Sequence, residues 1–305
     1  MRNAFATELN NLAKKDKKIV LLSGDIGNRL FDKFRNNFPR RFYNCGIAEA
    51  SMTGIASGLA KLGLRPITYT IATFNTIRCL EQIKLDVCYP NLPVVIVGTG
   101  AGLSYASLGS THHSLEDIAF LRTIPNLKIL CPSDPTEVKK LLRDAINMKG
   151  PVYLRLGKKN EPIISKRKKI GNSDIILKGK NNLLISIGNI LKEVMEASQK
   201  LKENRIDNSV IDLRYIKPLD KKVLKTVFKK FKKIFIIEEH YIFGGVGSSI
   251  IEWANQNGFN SEKVYLFGVE NKFVHSSGSQ SSARDKVGLS SNKIFEKVIK
   301  VIKKK

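Results

Sequence analysis

The chain has 305 residues, with 52 Lys and Arg against 27 Asp and Glu, a formal net charge of +25 and a hydrophobic content of 42%. That length exceeds one comfortable hydrophobic core, so two domains are expected. No apolar run reaches about 18 residues, which excludes a helical membrane span. The basic residues are scattered as lysine pairs, around 166–169, at 229–233 and at the tail, with no zinc finger, RNP-type aromatic run or dense basic arm, so nucleic acid is not the expected partner. The excess charge can still draw in anionic sugar phosphates or an acidic partner chain.

Residues 1–15 carry an amphipathic helix pattern with an early Glu8 and no cleavage site, which does not read as a signal peptide. Cys45, Cys79, Cys88 and Cys131 show neither CxxC nor Cys/His ligand spacing. They are expected to be free thiols in a reducing cytoplasm, with no metal site of the chain's own. Short apolar strands are predicted over 18–23, 41–44 and 66–69, then a turn and a helix over 70–89. Residues 92–98 (LPVVIVG) form a continuous β-branched run, as in a parallel strand buried on both faces. A glycine-rich loop follows, then a helix over 115–123, a strand over 127–131, a helix capped by Ser133 or Asp134, and a strand over 152–156. This alternation predicts an α/β fold with a doubly wound, mainly parallel sheet.

From 157 to 182 the composition turns polar and basic. A first domain is therefore expected at 1–160, a linker at 161–182 and a second domain, also a mainly parallel sheet flanked by helices, at 183–305. Strands of the second domain are expected over 183–187, 209–213, 234–237 and 264–267, with helices over 190–203, 220–230, 246–257 and 291–302.

Three motifs bear on chemistry. Residues 44–60 (NCGIAEASMTGIASGLA) contain a single charge, Glu49, between Arg41 and Lys61. It is either a helix-start glutamate facing water, which the helix dipole favours, or a buried acid whose pKa tends upward. The helix-spaced small residues Ala48, Ser51, Ala56 and Ala60 suggest close packing against another backbone. The loop after the 92–98 strand holds His112 and His113, two of the four histidines, at a strand end where open α/β sheets bind ligands. They are either substrate-binding or proton-shuttling groups, or a structural pair. Gly244, Gly245 and Gly247 precede a predicted helix and match neither GxGxxG nor the P-loop. They either form an anion-binding helix start or allow close helix–sheet packing.

Together the segments GIAEASMTGIASGLA, TFNTIRCLEQIKLD, GSTHHSLEDIAFLRTIPNLKILCPSDPTE, PVYLRLGKKN, LRYIKPLD and EEHYIFGGVGSSI resemble the C-terminal half of transketolase, its pyrimidine-binding domain plus its C-terminal domain. The resemblance runs in order along nearly the whole chain. It looks most like the split transketolases, in which two separate chains supply the two halves. 1-Deoxyxylulose-5-phosphate synthase and the beta subunits of 2-oxoacid dehydrogenases are related branches, and a non-catalytic paralogue is a further alternative.

The resemblance implies thiamine diphosphate with Mg²⁺, and a transfer of two-carbon ketol units between sugar phosphates. By position, Glu49 matches the glutamate that hydrogen-bonds N1′ of the aminopyrimidine. Phe74 matches the ring that stacks on it, with Ile77 and Leu80 where yeast-type enzymes have aromatics. Ile26, beside Asp25, matches the apolar residue beneath the bent cofactor. His112, with His113, matches the sugar-contacting histidine, while Arg155, Lys158 and Arg2 match phosphate-binding residues. Leu108 stands where transketolases carry an acid that contacts a sugar hydroxyl, which opens the donor to other sugars or 2-oxo acids. The GDG…N motif that holds Mg²⁺ and the diphosphate belongs to the other half. Gly24-Asp25-Ile26-Gly27 only echoes it. The metal ligands, and with them an active site, are thus expected from an N-terminal-type partner subunit in a heterotetramer, with self-association through both domains.

Overall fold

The structure, a computed structural model, describes residues 1–27, 29–158, 161–164, 171–275 and 278–304. Asn28 and the basic run 166–169 fall outside the described residues. The first sheet has seven strands: β1 (Ile19–Ser23), β2 (Phe42–Asn44), β3 (Arg65–Ile71), β4 (Val95–Thr99), β5 (Lys128–Leu130), β6 (Val152–Leu156) and β10 (Tyr215–Lys217), in the order β10-β5-β6-β4-β3-β1-β2. The second has five: β7 (Ser173–Leu177), β8 (Asn182–Ile187), β9 (Asn208–Leu213), β11 (Lys233–Tyr241) and β12 (Val264–Val269), in the order β12-β11-β8-β9-β7. Every pairing is parallel except β10 with β5 and β7 with β9. The two mainly parallel sheets agree with the expectation from the alternating pattern.

Helices α1 (Arg2–Lys15), α2 (Asp32–Asn37), α3 (Glu49–Lys61), the short α4 (Leu80–Gln82), α5 (Asp117–Leu121) and α6 (Pro135–Asn147) accompany the first sheet. Helices α7 (Leu191–Glu203), α8 (Lys221–Lys230), α9 (Val246–Gln256), α10 (Gln280–Lys286) and α11 (Ser291–Lys303) accompany the second. β4 is buried at all five positions and lies in register with β3 and β6, so its unbroken apolar run reports a strand covered on both faces. α6 starts where an Asp-Pro pair dictates: the Asp134 side chain accepts the Thr136 and Glu137 amides, and Pro135 takes the first turn. Among the described residues no helix is long and apolar enough to cross a membrane.

Two strands depart from the sequence reading. The span 161–182, expected to be a linker, contains β7, which pairs antiparallel with β9 at the edge of the second sheet. Its residues are mostly half-buried, so no sustained apolar pattern announces it. β10 follows the second-sheet strand β9 yet returns to the first sheet and closes the β5 edge. Arg214, between β9 and β10, is fully buried and holds Glu137 of α6 at 2.6 Å, Asp174 of β7 at 2.7 Å and Asp212 of β9 at 2.9 Å. One cation thus ties both sheets. Burial and the neighbouring Glu137 push the Asp212 carboxyl well above the ordinary range despite Arg214.

Candidate active-site wall

β6, β4, β3, β1 and β2 are neighbours in the first sheet and run parallel, so their C-terminal ends line one edge. β2 leads into α3, whose first residue is Glu49, only 1% exposed. The helix lacks a side-chain cap, and a carboxylate in its first turn is favoured by the dipole. Glu49 Oε2 accepts a 2.8 Å hydrogen bond from Arg78 Nη1, whose side chain is 44% exposed. Of the two sequence alternatives, Glu49 is the buried one, and its partner Arg78 is half exposed. The floor beneath it is tight: a Cβ added at Gly24 would stand 3.0 Å from Thr70 and 3.5 Å from Glu49 Oε1. Nearby Cys79 is pushed up to about 11, chiefly by burial, so its thiol stays protonated and inert.

The turn after β3 carries the next residues. Buried Asn75 donates to Thr68 Oγ1 at 3.2 Å and to the Val97 carbonyl at 2.9 Å, pinning the turn to β3 and β4. Phe74 and Arg78 project from it, with the Arg78 guanidinium carbon 4.4 Å from the Phe74 ring centroid. Phe74 meets His112 edge-on at 5.2 Å, His112 meets Tyr105 at 6.0 Å, and Lys158 Nζ lies 4.0 Å from the Tyr105 ring centroid. An unbroken string of contacts therefore runs Glu49–Arg78–Phe74–His112–Tyr105–Lys158, drawn from loops far apart in sequence. His112 is half-buried and contacts Thr111 Oγ1 through Nδ1 at 2.9 Å. Burial, followed by the Lys158 charge, holds its pKa below 6.5, so the ring is neutral at neutral pH.

Tyr105 is seated by glycine. At Gly100, with φ of 74°, a Cβ would collide with the Tyr105 ring at 2.0 Å. Arg2 lies within electrostatic reach of both Tyr69 and Tyr105. Ile26 is half-buried, and exposed Asp25 accepts a 2.9 Å hydrogen bond from Asn44 Nδ2 at the β1–β2 end of the wall. Ile77 is 41% exposed, whereas Leu80 packs partly into the core below. Sequence reasoning missed the parts played by Arg78 and Tyr105. The signal for Tyr105 was an aromatic set inside the glycine-rich loop.

Two expected substrate residues are placed elsewhere. Arg155 is 3% exposed and bound through Nε to Asp117 at 2.8 Å and through Nη2 to the Ser114 and Glu239 carbonyls at 3.0 Å each. It braces β6 to α5 and β11 instead of facing the wall. Burial alone would raise Asp117, but the Arg155 guanidinium outweighs it and holds the carboxyl below the usual range. His113 is 3% exposed and within electrostatic reach of Glu239. Burial keeps it neutral, with its pKa lowered. The α9 glycines also resolve. Glu238 Oε2 and Oε1 accept the Val246 and Gly247 amides at 2.9 Å each, so this helix start is filled by the chain's own carboxylate. Among the described residues no three His, Cys, Asp or Glu side chains gather into a metal-binding cluster.

Comparison with known proteins gives the family. The transketolase pyrimidine-binding domain matches residues 1–162, and the transketolase C-terminal domain matches residues 171–294. An apulose-4-phosphate transketolase subunit of Phocaeicola vulgatus is 32% identical over 99% of this chain and 97% of its own length. The 1-deoxy-D-xylulose-5-phosphate synthase of Dictyoglomus thermophilum is 36% identical over 98% of this chain, which spans only 48% of that enzyme. A solved split-gene transketolase, an inactive beta4 tetramer, superposes with a TM-score of 0.86 at 29% identity, covering 98% of this chain and 96% of that one. The chain belongs to the transketolase family, as the portion that carries the pyrimidine-binding and C-terminal domains.

Proposed function

We propose that this chain is the C-terminal subunit of a two-chain, thiamine-diphosphate-dependent transketolase that moves a two-carbon ketol unit between sugar phosphates. In this reading it works only with a separate N-terminal-type subunit, in a cytoplasmic heterotetramer. One observation carries the reading. Glu49 is 1% exposed, yet its ion-pair partner, Arg78, has a side chain 44% exposed and lies against the Phe74 ring, with the neighbouring Ile77 41% exposed. A buried acid beside an apolar, uncovered wall suits an aromatic nitrogen heterocycle capped by a second polypeptide. Thiamine diphosphate, when bound, supplies the electron sink for carbon–carbon bond cleavage.

The chain's own residues then divide the work. Glu49 would share a proton with the pyrimidine N1′, in surroundings of low dielectric that strengthen the bond. Phe74 offers its ring for stacking, while Ile26, Ile77 and Leu80 keep water from the heterocycle, with Asp25 at the outer end. Neutral His112 meets the sugar hydroxyls, and Lys158 with Arg2 gathers the phosphate end. Lysine gives point-charge recognition without a guanidinium's paired geometry. Arg155 and His113 act only by stiffening the loop that bears His112. Mg²⁺ would take its ligands from the partner subunit, as it is usually held by carboxylates together with phosphate oxygens.

A second reading is a synthase-like enzyme, or a 2-oxoacid dehydrogenase beta-type component, that takes pyruvate or a relative as donor. Half-exposed Leu108, standing where transketolases have an acid, favours it. The test is reconstitution with an N-terminal-type subunit, Mg²⁺ and thiamine diphosphate, assayed with a ketose phosphate and separately with pyruvate. Ketose-dependent turnover is expected from the pair and none from either chain alone. Turnover by this chain alone, or full turnover by the Glu49→Gln pair, sinks the proposal.

A further inference from the structure

A cavity of about 470 Å³ lies in the second domain, between the outer strands β7 and β9 and helix α8. None of Glu49, Phe74, His112 and Lys158 borders it. Its bed is apolar. Ile175 of β7 and Ile211 of β9 are register partners, so they stand on the same face of the sheet. Val223 and Val227 of α8, with Phe231 at its C-terminal cap, line the opposite side at the spacing that keeps one face of a helix. Ile211, Val227 and Phe231 are buried, whereas Ile175 is 43% exposed. Among the described residues it is the one exposed large apolar side chain on the strands of the second sheet, so α8 covers β9 and stops short of edge strand β7. The rim is basic. Lys178, Lys222 and Lys230 border the cavity and no Asp or Glu does. Among the described residues none of these three lysines is ion-paired. Ser209, also in the lining, accepts the Gly179 amide at 2.7 Å through Oγ, which leaves its own proton to donate.

We propose that this cavity binds a small amphiphilic carboxylate, its apolar body between Ile175, Ile211 and Phe231 and its head group on the lysines. Charge and surface together select that class. A purely polar anion would leave Ile175 against water, and a neutral apolar molecule would forgo the three ammonium groups. A carboxylate with a hydrocarbon body uses both. The volume falls within the range of small-molecule sites, about 300–1,000 Å³. The site does not rest on the function proposed for Glu49, because binding needs neither cofactor nor partner.

The experiment is isothermal titration of the full chain with octanoate, without thiamine diphosphate. One equivalent is expected to bind with a Kd below about 1 mM. Octan-1-ol, which lacks the charge, and acetate, which lacks the chain, are each expected to bind at least about tenfold more weakly. Lys222 is exposed in the first turn of α8, where the helix dipole favours an acid, so Lys222→Glu is expected to fold. It should weaken octanoate binding by about tenfold or more. Thr226→Trp, from an exposed position in the lining, should fill the space and abolish binding. Lys14→Glu makes the same charge change at an exposed position of α1 and should leave binding unaltered, which separates the site from attraction by net charge. Absence of saturable binding overturns the site. So does binding that acetate or octan-1-ol equals, that survives Lys222→Glu or Thr226→Trp unchanged, or that Lys14→Glu weakens as much as Lys222→Glu.

Discussion

Two glutamates, one in each domain, are almost equally buried and sit at helix starts, yet they differ in what neutralises them. Glu238 is 2% exposed, and both its oxygens are taken by backbone amides of α9. Gly245 and Gly247 make room for it, since a Cβ at either would come within 2.6 Å or 3.2 Å of its oxygens. Glu49 is 1% exposed but is matched by a side chain, Arg78, that is half in solvent. The first carboxylate is closed by its own chain. The second is held by a group that a ligand can displace. In the proposed function it is therefore the exposure of the partner, not burial, that separates the working acid from the structural one.

Four changes test this contrast. The largest effect is expected from Glu49→Gln, which should lower turnover of the reconstituted pair by about 10²–10⁴-fold while leaving the urea midpoint of the chain nearly unmoved. Next is Asp117→Asn, which strands the buried Arg155 and should cost about 3–5 kcal/mol at neutral pH. Because the folded Asp117 pKa is depressed, its contribution is present above the unfolded value of about 3.9 and is lost as pH falls through the lower folded value. The urea midpoint of wild type should thus fall toward that of the variant on acidification. Curves that stay parallel would contradict the assigned pairing.

Glu238→Gln should reverse the Glu49 pattern, with a loss of about 2–3 kcal/mol in stability as one amide hydrogen bond gives way to two facing donors, and intact turnover per folded molecule. Equal activity losses in the two glutamine variants would erase the contrast. The smallest effect is expected from Tyr105→Leu, which removes the ring under Lys158. A weakening of about 0.5–1 kcal/mol, read as a severalfold rise in KM for the phosphorylated substrate with kcat kept, would fit an exposed cation–π contact.

Legibility followed range along the chain. The buried run at β4, the Asp134-Pro135 start of α6 and the single acid in a run of small residues are local patterns, and the structure realises each. β7 and α10 lacked such patterns. The first is a half-buried edge strand, and the second, QSSARDK, is a polar stretch capped by Ser279. Arg155 shows the harder limit. Its partners lie 38 and 84 residues away, and nothing local tells a free guanidinium from one already engaged. Adjacent His112 and His113 likewise diverge, one beside the Phe74 and Tyr105 rings and the other buried.

The return of β10 to the first sheet has a practical consequence for dissecting this molecule. A fragment ending near residue 162 would keep six of the seven strands and leave the amides and carbonyls of β5 open to any neighbouring chain. Such a piece should self-associate through that bare margin. The second half thus lends a strand to the sheet of the first.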